Sequence, residues 1–190
     1  MRHTTAIVCL VAIMIPMLTG CGPKKNLTLE ERRQVVLDME QETLQRLYKE
    51  APETEDKIAT AAGYGVFNNA NVNLILVSAG GGYGVVVDNE TKERTYMKMA
   101  LGGVGIGLGV KDYRVVLAFK DKTTMTKFVE SGWEFGAHAD AAAKAGDKGA
   151  EVSGEGDISS NIEVFSMTEA GLALQATVAG TKYWKDNSLN

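Results

Sequence analysis

The sequence predicts an α+β fold: a mainly antiparallel β-sheet curled into a barrel-like body, with N-terminal helices and one further short helix. Three observations carry this expectation. Gly103, Gly105, Gly107 and Gly109 alternate with Val104, Ile106, Leu108 and Val110, and a period of two belongs to strands. After Gly63, short apolar runs and turn-forming residues alternate at close spacing. Before Gly63, apolar residues from Leu29 to Ala51 recur at helical spacing. The resulting plan is a signal segment over 1–20, a tether over 21–27, a helical neck over 28–62 and a β-rich domain over 63–190.

The N-terminus sets the address. Arg2 and His3 precede an apolar run, Ala6 to Leu18, of signal-peptide length and too short to span a bilayer comfortably. The run ends in Leu18-Thr19-Gly20-Cys21, which resembles the bacterial lipobox. That resemblance implies cleavage before Cys21 and lipid attachment there: a thioether-linked diacylglycerol and an N-acyl chain. Two or more acyl chains anchor stably where one does not. Gly22, rather than Asp, follows the cysteine, and by the lipoprotein sorting pattern this implies the outer membrane, facing the periplasm.

The neck begins after the polar tether Gly22 to Asn26. Thr28 followed by Glu31 reads as a capping box. Leu29, Val36, Leu37, Leu44, Leu47, Tyr48 and Ala51 define the expected buried stripe, with Glu30, Arg33, Glu40 and Glu42 on the polar remainder. Pro52 stops this helix. A second helix is expected from Thr54, as its N-cap, to Ala62. The polar face is mixed and acid-rich, so the long helix is read as packing on the core rather than lying on a membrane.

In the body, strands are expected near Tyr64–Phe67, Val72–Ser78, Tyr83–Asp88, Arg94–Leu101, Gly103–Val110 and Tyr113–Phe119. Asp88-Asn89-Glu90-Thr91 reads as one turn, and Lys111-Asp112 as a tight reversal. The bare glycine face of 103–109 calls for a close neighbour, either a crossing layer or a ligand such as a lipid chain. Thr123 is read as capping a helix to Ser131. Trp133 to Ala143 alternates as a strand, and Lys144 to Gly156 is a polar, glycine-rich loop. Asn161–Met167 and Leu172–Ala179 form a last hairpin, with Lys182-Tyr183-Trp184 closing the edge. A transmembrane barrel is disfavoured: aromatic residues are only 7% and form no girdle, and the chain ends Ser188-Leu189-Asn190.

From Ala61 onward the chain resembles the SYLF, or Ysc84-type, lipid-binding domain family. The resemblance rests on Ala62-Gly63-Tyr64-Gly65-Val66-Phe67, on Gly80-Gly81-Gly82-Tyr83-Gly84-Val85 and on Gly102 to Gly109 running into Val115–Phe119. Gly136-Ala137-His138-Ala139-Asp140 and Phe165-Ser166 with Gly171-Leu172 complete it. It implies phospholipid binding, as for eukaryotic members on phosphoinositide membranes, and a cell-envelope lipoprotein, as for bacterial members. The actin binding of some members does not carry over to a periplasmic protein. Tyr96-Met97-Lys98-Met99 stand where the family often has Trp-Ser-x-Pro.

Composition narrows the function classes. A net charge of −4 argues against nucleic acid as a partner. The only cysteines are Cys9 and Cys21, and the body has one histidine, His138, so a cysteine or histidine metal centre is excluded there. Leu76-Val77-Ser78-Ala79-Gly80 lacks the first glycine of a nucleophile elbow. No enzyme activity and no cofactor are expected. Lys92, Arg94, Lys98, Lys111 and Arg114 lie near the glycine strand, and Lys98, Lys111 and Arg114 are the candidate lipid head-group residues. The alternative is a structural or partner-binding periplasmic lipoprotein with no lipid site in the domain, recognised by dispersed cations and a closed core.

Overall fold

The computed structural model describes residues 26–135, 161–168, 171–173 and 181–190, with side chains except at 70–79, 102–113, 135, 168 and 171–173. Helices α1 (Leu29–Glu50) and α2 (Glu53–Thr60) precede strands β1 (Gly63–Asp88) and β2 (Arg94–Phe119). Helix α3 (Lys122–Ser131) follows, then β3 (Trp133–Phe135), β4 (Ile162–Thr168), β5 (Gly171–Ala173) and β6 (Thr181–Lys185). The fold is α+β, and every strand pairing is antiparallel. The sheet runs in the order β3-β6-β2-β4-β5, with β1 also paired to β2. The expectations for His138, for the strand beyond Phe135, for the 144–156 loop, for residues 174–179 and for the chain up to Lys25, Cys21 included, lie outside the described residues.

Helix α1 starts at the capping box the sequence announces. The Thr28 hydroxyl accepts from the Glu31 N–H, and the Thr28 N–H donates to the Glu31 carboxylate at 2.8 Å. The buried face is rotated from the expected stripe: Val36, Met39, Glu40, Thr43 and Leu47 are buried, whereas Leu29 is 44% exposed. Glu40 can turn inward because Tyr64 Oη donates to it at 2.7 Å and Arg94 Nε lies 3.4 Å away. Two helix starts also differ from expectation. Pro52 is the N-cap of α2, and the Thr54 hydroxyl bonds back to the Ala51 carbonyl. The cap of α3 is Asp121, whose carboxylate accepts from Thr124 N at 2.8 Å.

The largest correction concerns the hairpin. Lys111 and Asp112 make no reversal; they sit in the ladder opposite Asn71 and Ala70. The six expected strands of this region merge into two strands of 26 residues, joined by the Asp88–Thr91 turn. The reason is the partner: β1 offers a near-continuous ladder from Gly63 to Val87, so the β2 backbone can stay paired through its polar pair. One register shift, between Ile75 and Val77, gives β2 one extra residue, a β-bulge. At the turn, the Asp88 carboxylate accepts from the N–H groups of Glu90 and Thr91, and Lys92 takes a positive φ of 61°.

A straight strand of that length would run about 85 Å. This one doubles back, so that its two ends touch. A Cβ on Gly82 or Gly84 would collide with the carbonyl oxygens of Asn68 and Val66, and one on Gly63 with that of Val87. A close backbone approach therefore occurs at these glycines, where one half of the hairpin crosses the other. What faces Gly103 to Gly109 lies outside the described side chains.

Alternation then divides the core. Val66, Val85, Val87, Tyr96, Val116 and Ala118 face α1 and α2, packing on Val36, Met39, Leu47 and Ile58. Their neighbours Phe67, Val86, Met97, Met99, Val115, Leu117 and Phe119 face α3 and Tyr183. Phe67, Phe119, Phe128 and Tyr183 form an aromatic cluster, with ring centroids 4.7–6.2 Å apart. Strand β6, expected at the edge, is interior: Tyr183 pairs with Met99 on one side and Trp133 on the other. The last expected hairpin is present as far as it is described: Ser166 to Thr168 pair with Ala173 to Gly171, Met167 opposite Leu172.

Candidate functional site

The continuous β2 strand fixes where the expected head-group cations stand. Lys98 pairs with Tyr83 and Trp184, while Arg114 pairs with Asn68 and Met167. Sixteen positions separate them along one strand, and each has an acidic partner. Lys98 Nζ lies 3.0 Å from Asp186, and Arg114 Nη2 lies 3.1 Å from Glu42 while Nη1 meets the Thr43 hydroxyl. Arg94 is tied to Glu40, and Lys92 belongs to the hairpin turn. Lys111 sits opposite Asn71, and its side chain is outside the described set. Lys98 and Arg114 are thus each held by an acid of its own rather than by a shared partner. The turn expected at Lys111-Asp112 is replaced by the ladder, so all three cations belong to one continuous strand.

What the fold does assemble is a different cluster, around β6. Along that strand Thr181 and Tyr183 are buried, and Lys182 and Trp184 point outward. Trp184 is 37% exposed; with Leu29 it is one of two exposed large hydrophobic residues among those described. Lys98 lies directly across from it, and Lys182 is its same-face neighbour. Sequence reading treated Lys182-Tyr183-Trp184 only as an edge. The signal was there in the alternation of Lys182 and Trp184 around an inward tyrosine, but which of the two faces stayed open required the sheet order.

The electrostatics of this end are balanced. Burial opposes ionisation of Asp186, but hydrogen bonds from Ser188 and Lys98 outweigh it and hold the carboxyl below its ordinary range. Lys182 faces Glu134 at 3.7 Å. The C-terminal turn that carries Asp186 is fastened to the first turns of α1: Arg32 donates to the Ser188 hydroxyl and Arg33 to the Leu189 carbonyl, both at 2.8 Å. The Arg33 guanidinium also lies over the Tyr96 ring, 5.7 Å from its centre.

No group of three or more His, Cys, Asp or Glu residues is placed to hold a metal among the described residues. No helix among them is long and apolar enough to cross a membrane, which says nothing about crossing by strands.

Two comparisons bear on the chain. Residues 100–190 match the Ysc84 family, described as Las17-binding protein actin regulator. The chain is also similar to Beta cell expansion factor A of Aeromonas veronii, with 35% identity over 162 residues. That match takes in 85% of this chain and 60% of the relative, so the chain spans less than two thirds of that protein's length.

Proposed function

This chain belongs to the Ysc84 family, and on that footing we propose a lipid-anchored cell-envelope protein, sited at the outer membrane, whose β body binds phospholipid. The observation that carries the reading is the short distance between anchor and fold. Cys21 ends the lipobox-like Leu18-Thr19-Gly20-Cys21, and the folded part opens at the Thr28 cap. Seven residues reach at most about 25 Å, so acyl chains on Cys21 would hold the sheet against the bilayer surface. The role is binding rather than catalysis.

A second reading has its own observation. Lys98 and Arg114 stand apart, each neutralised by an acid, and both core clusters are closed by fully buried side chains. That arrangement favours a structural or partner-binding envelope lipoprotein with no head-group pocket in the domain.

Flotation with liposomes separates the two. A chain beginning at Gly22, without acyl groups, is mixed with anionic or zwitterionic vesicles at low and high salt. The phospholipid reading expects flotation, and expects it to survive Lys98→Ala with Arg114→Ala, because those residues form no common site. Flotation on neither vesicle would remove phospholipid binding and leave the second reading.

A further inference from the structure

We infer that the surface meeting the bilayer is the end of the molecule where the start of α1, the C-terminal turn and β6 come together, with Trp184 and Leu29 as its apolar contacts. The inference rests on the phospholipid reading above and gives it an orientation.

Leu29 is the first observation. It has the same helical phase as Val36 and Leu47, both fully buried, since separations of 7 and 18 residues come to nearly whole turns. Yet Leu29 is 44% exposed. The first turn of α1 overhangs the core and leaves a core-phase leucine uncovered.

Trp184 is the second, and it belongs to the same end. Tracing β2 shows why. Arg94 meets Glu40 in the middle of α1, Tyr96 lies beneath Arg33 one turn from Leu29, and Lys98 continues in that direction. Trp184 is the partner of Lys98 across the sheet. The bonds from Arg32 and Arg33 to Ser188 and Leu189 fix the helix start to the segment that follows Trp184. The opposite end is marked by the hairpin turn, where the Asn89 amide donates to the carbonyls of Ile58 and Ala61 after the close of α1.

The third observation is where the tether arrives. The chain enters α1 eight residues after Cys21, at Leu29 itself. A lipid on Cys21, as proposed above, would therefore enter the fold from this end. A tryptophan with lysines around it matches the interfacial layer of a bilayer, where the ring sits among head groups and lysine stems reach out to phosphate. Lys98 and Lys182 supply those stems. Because Asp186 and Glu134 answer both of these charges, seating depends on the apolar contacts more than on vesicle charge.

The test uses the full acylated protein in phosphatidylethanolamine vesicles, with and without phosphatidylglycerol. Trp184 emission is taken as the difference between the parent and Trp184→Phe, which leaves Trp133 as a common background. The expected result is a blue-shifted Trp184 signal that brominated acyl chains largely quench, at either vesicle charge. Leu29→Cys and Glu90→Cys, each carrying an environment-sensitive dye, supply a second measurement. The dye at 29 should report an apolar setting, and that at 90, on the hairpin turn, should report water. If Trp184 stays unquenched and the dye at 29 stays in water while the Gly22 chain floats, phospholipid binding stands and this face is wrong. If quenching occurs but the Gly22 chain does not float, the face stands and anchor-independent binding falls. If neither occurs, both fall.

Discussion

Gly84→Ala tests the doubling of the hairpin directly. A Cβ at Gly84 would lie well inside contact distance of the Val66 carbonyl oxygen and the Phe67 ring. A carbonyl held in a ladder cannot swing aside as a side chain can, so the two halves of the hairpin must separate. Overpacking of this kind typically costs 1–3 kcal/mol, and the backbone contact places this case at about 3 kcal/mol. Replacing Gly by Ala at a compatible backbone angle returns about 0.4–1 kcal/mol by restricting the unfolded chain. The net expectation is a loss of about 2 kcal/mol, or about 4–8 °C in Tm for a domain of this size. Gly65→Ala is the control. Its Cβ would meet Phe67 Cε2 at 2.9 Å and Val86 Cγ2 at 3.3 Å, longer contacts than at Gly84 and with no carbonyl among them. We expect that variant within about 1 kcal/mol of the parent. Urea unfolding of the unacylated chain, followed by circular dichroism, reads both. A Gly84→Ala variant as stable as Gly65→Ala would refute the close crossing of the two halves.

Two further predictions concern the polar ties between helices and sheet. Glu40→Ala leaves the part-buried Tyr64 hydroxyl without its acceptor and should cost about 1–3 kcal/mol, whereas Glu40→Gln keeps an acceptor and should cost less, by the same urea unfolding. Asp88 gives a pH dependence: hydrogen bonding to Lys122 and to the turn N–H groups outweighs desolvation and draws its carboxyl down to about 2. A depressed acid stabilises the fold above its ordinary value of 3.8 and loses that contribution as pH falls from there toward 2. With Lys122 half in water the contribution is about 1 kcal/mol, and stability measured between pH 5 and pH 2 should fall less steeply in Lys122→Ala.

Much of this fold is legible in the sequence where the signal is local. The Thr28/Glu31 capping box, the Asp88 turn and the return from Met167 to Leu172 each depend on a few adjacent residues, and each stands as read. The failures have a common cause in partners distant along the chain. Lys111-Asp112 reads as a turn because polar residues interrupt an apolar run, but Asn71 and Ala70, forty residues earlier, keep the ladder intact. Glu40 reads as solvent-facing because acids usually are, but Tyr64 and Arg94 receive it. The candidate site depends most on such partners. Whether Lys98 stands beside Arg114 or beside Trp184 is a question of strand order, and alternation along β2 is the same in either case.

The orientation proposed above also bears on how strong the membrane contact has to be. With a net charge of −4 and its sheet cations answered by acids, the domain has little long-range attraction to an anionic surface. One tryptophan and one leucine make a small contact, enough to float a chain without acyl groups only at high lipid concentration. A short tether changes the requirement. A seven-residue linker to acyl chains in the same bilayer presents the surface at an effective concentration on the order of millimolar, so a contact of millimolar affinity is already about half occupied. On the proposed reading the anchor and the patch are complementary: acyl chains on Cys21 would determine where the protein resides, and Trp184 with Leu29 which face it turns to the lipid. A lengthened tether separates these roles. Inserting a flexible glycine-serine segment after Gly22 should leave the acylated protein on the vesicle but lower the quenched fraction of Trp184, and quenching that is indifferent to tether length would mean the patch binds without help from the anchor.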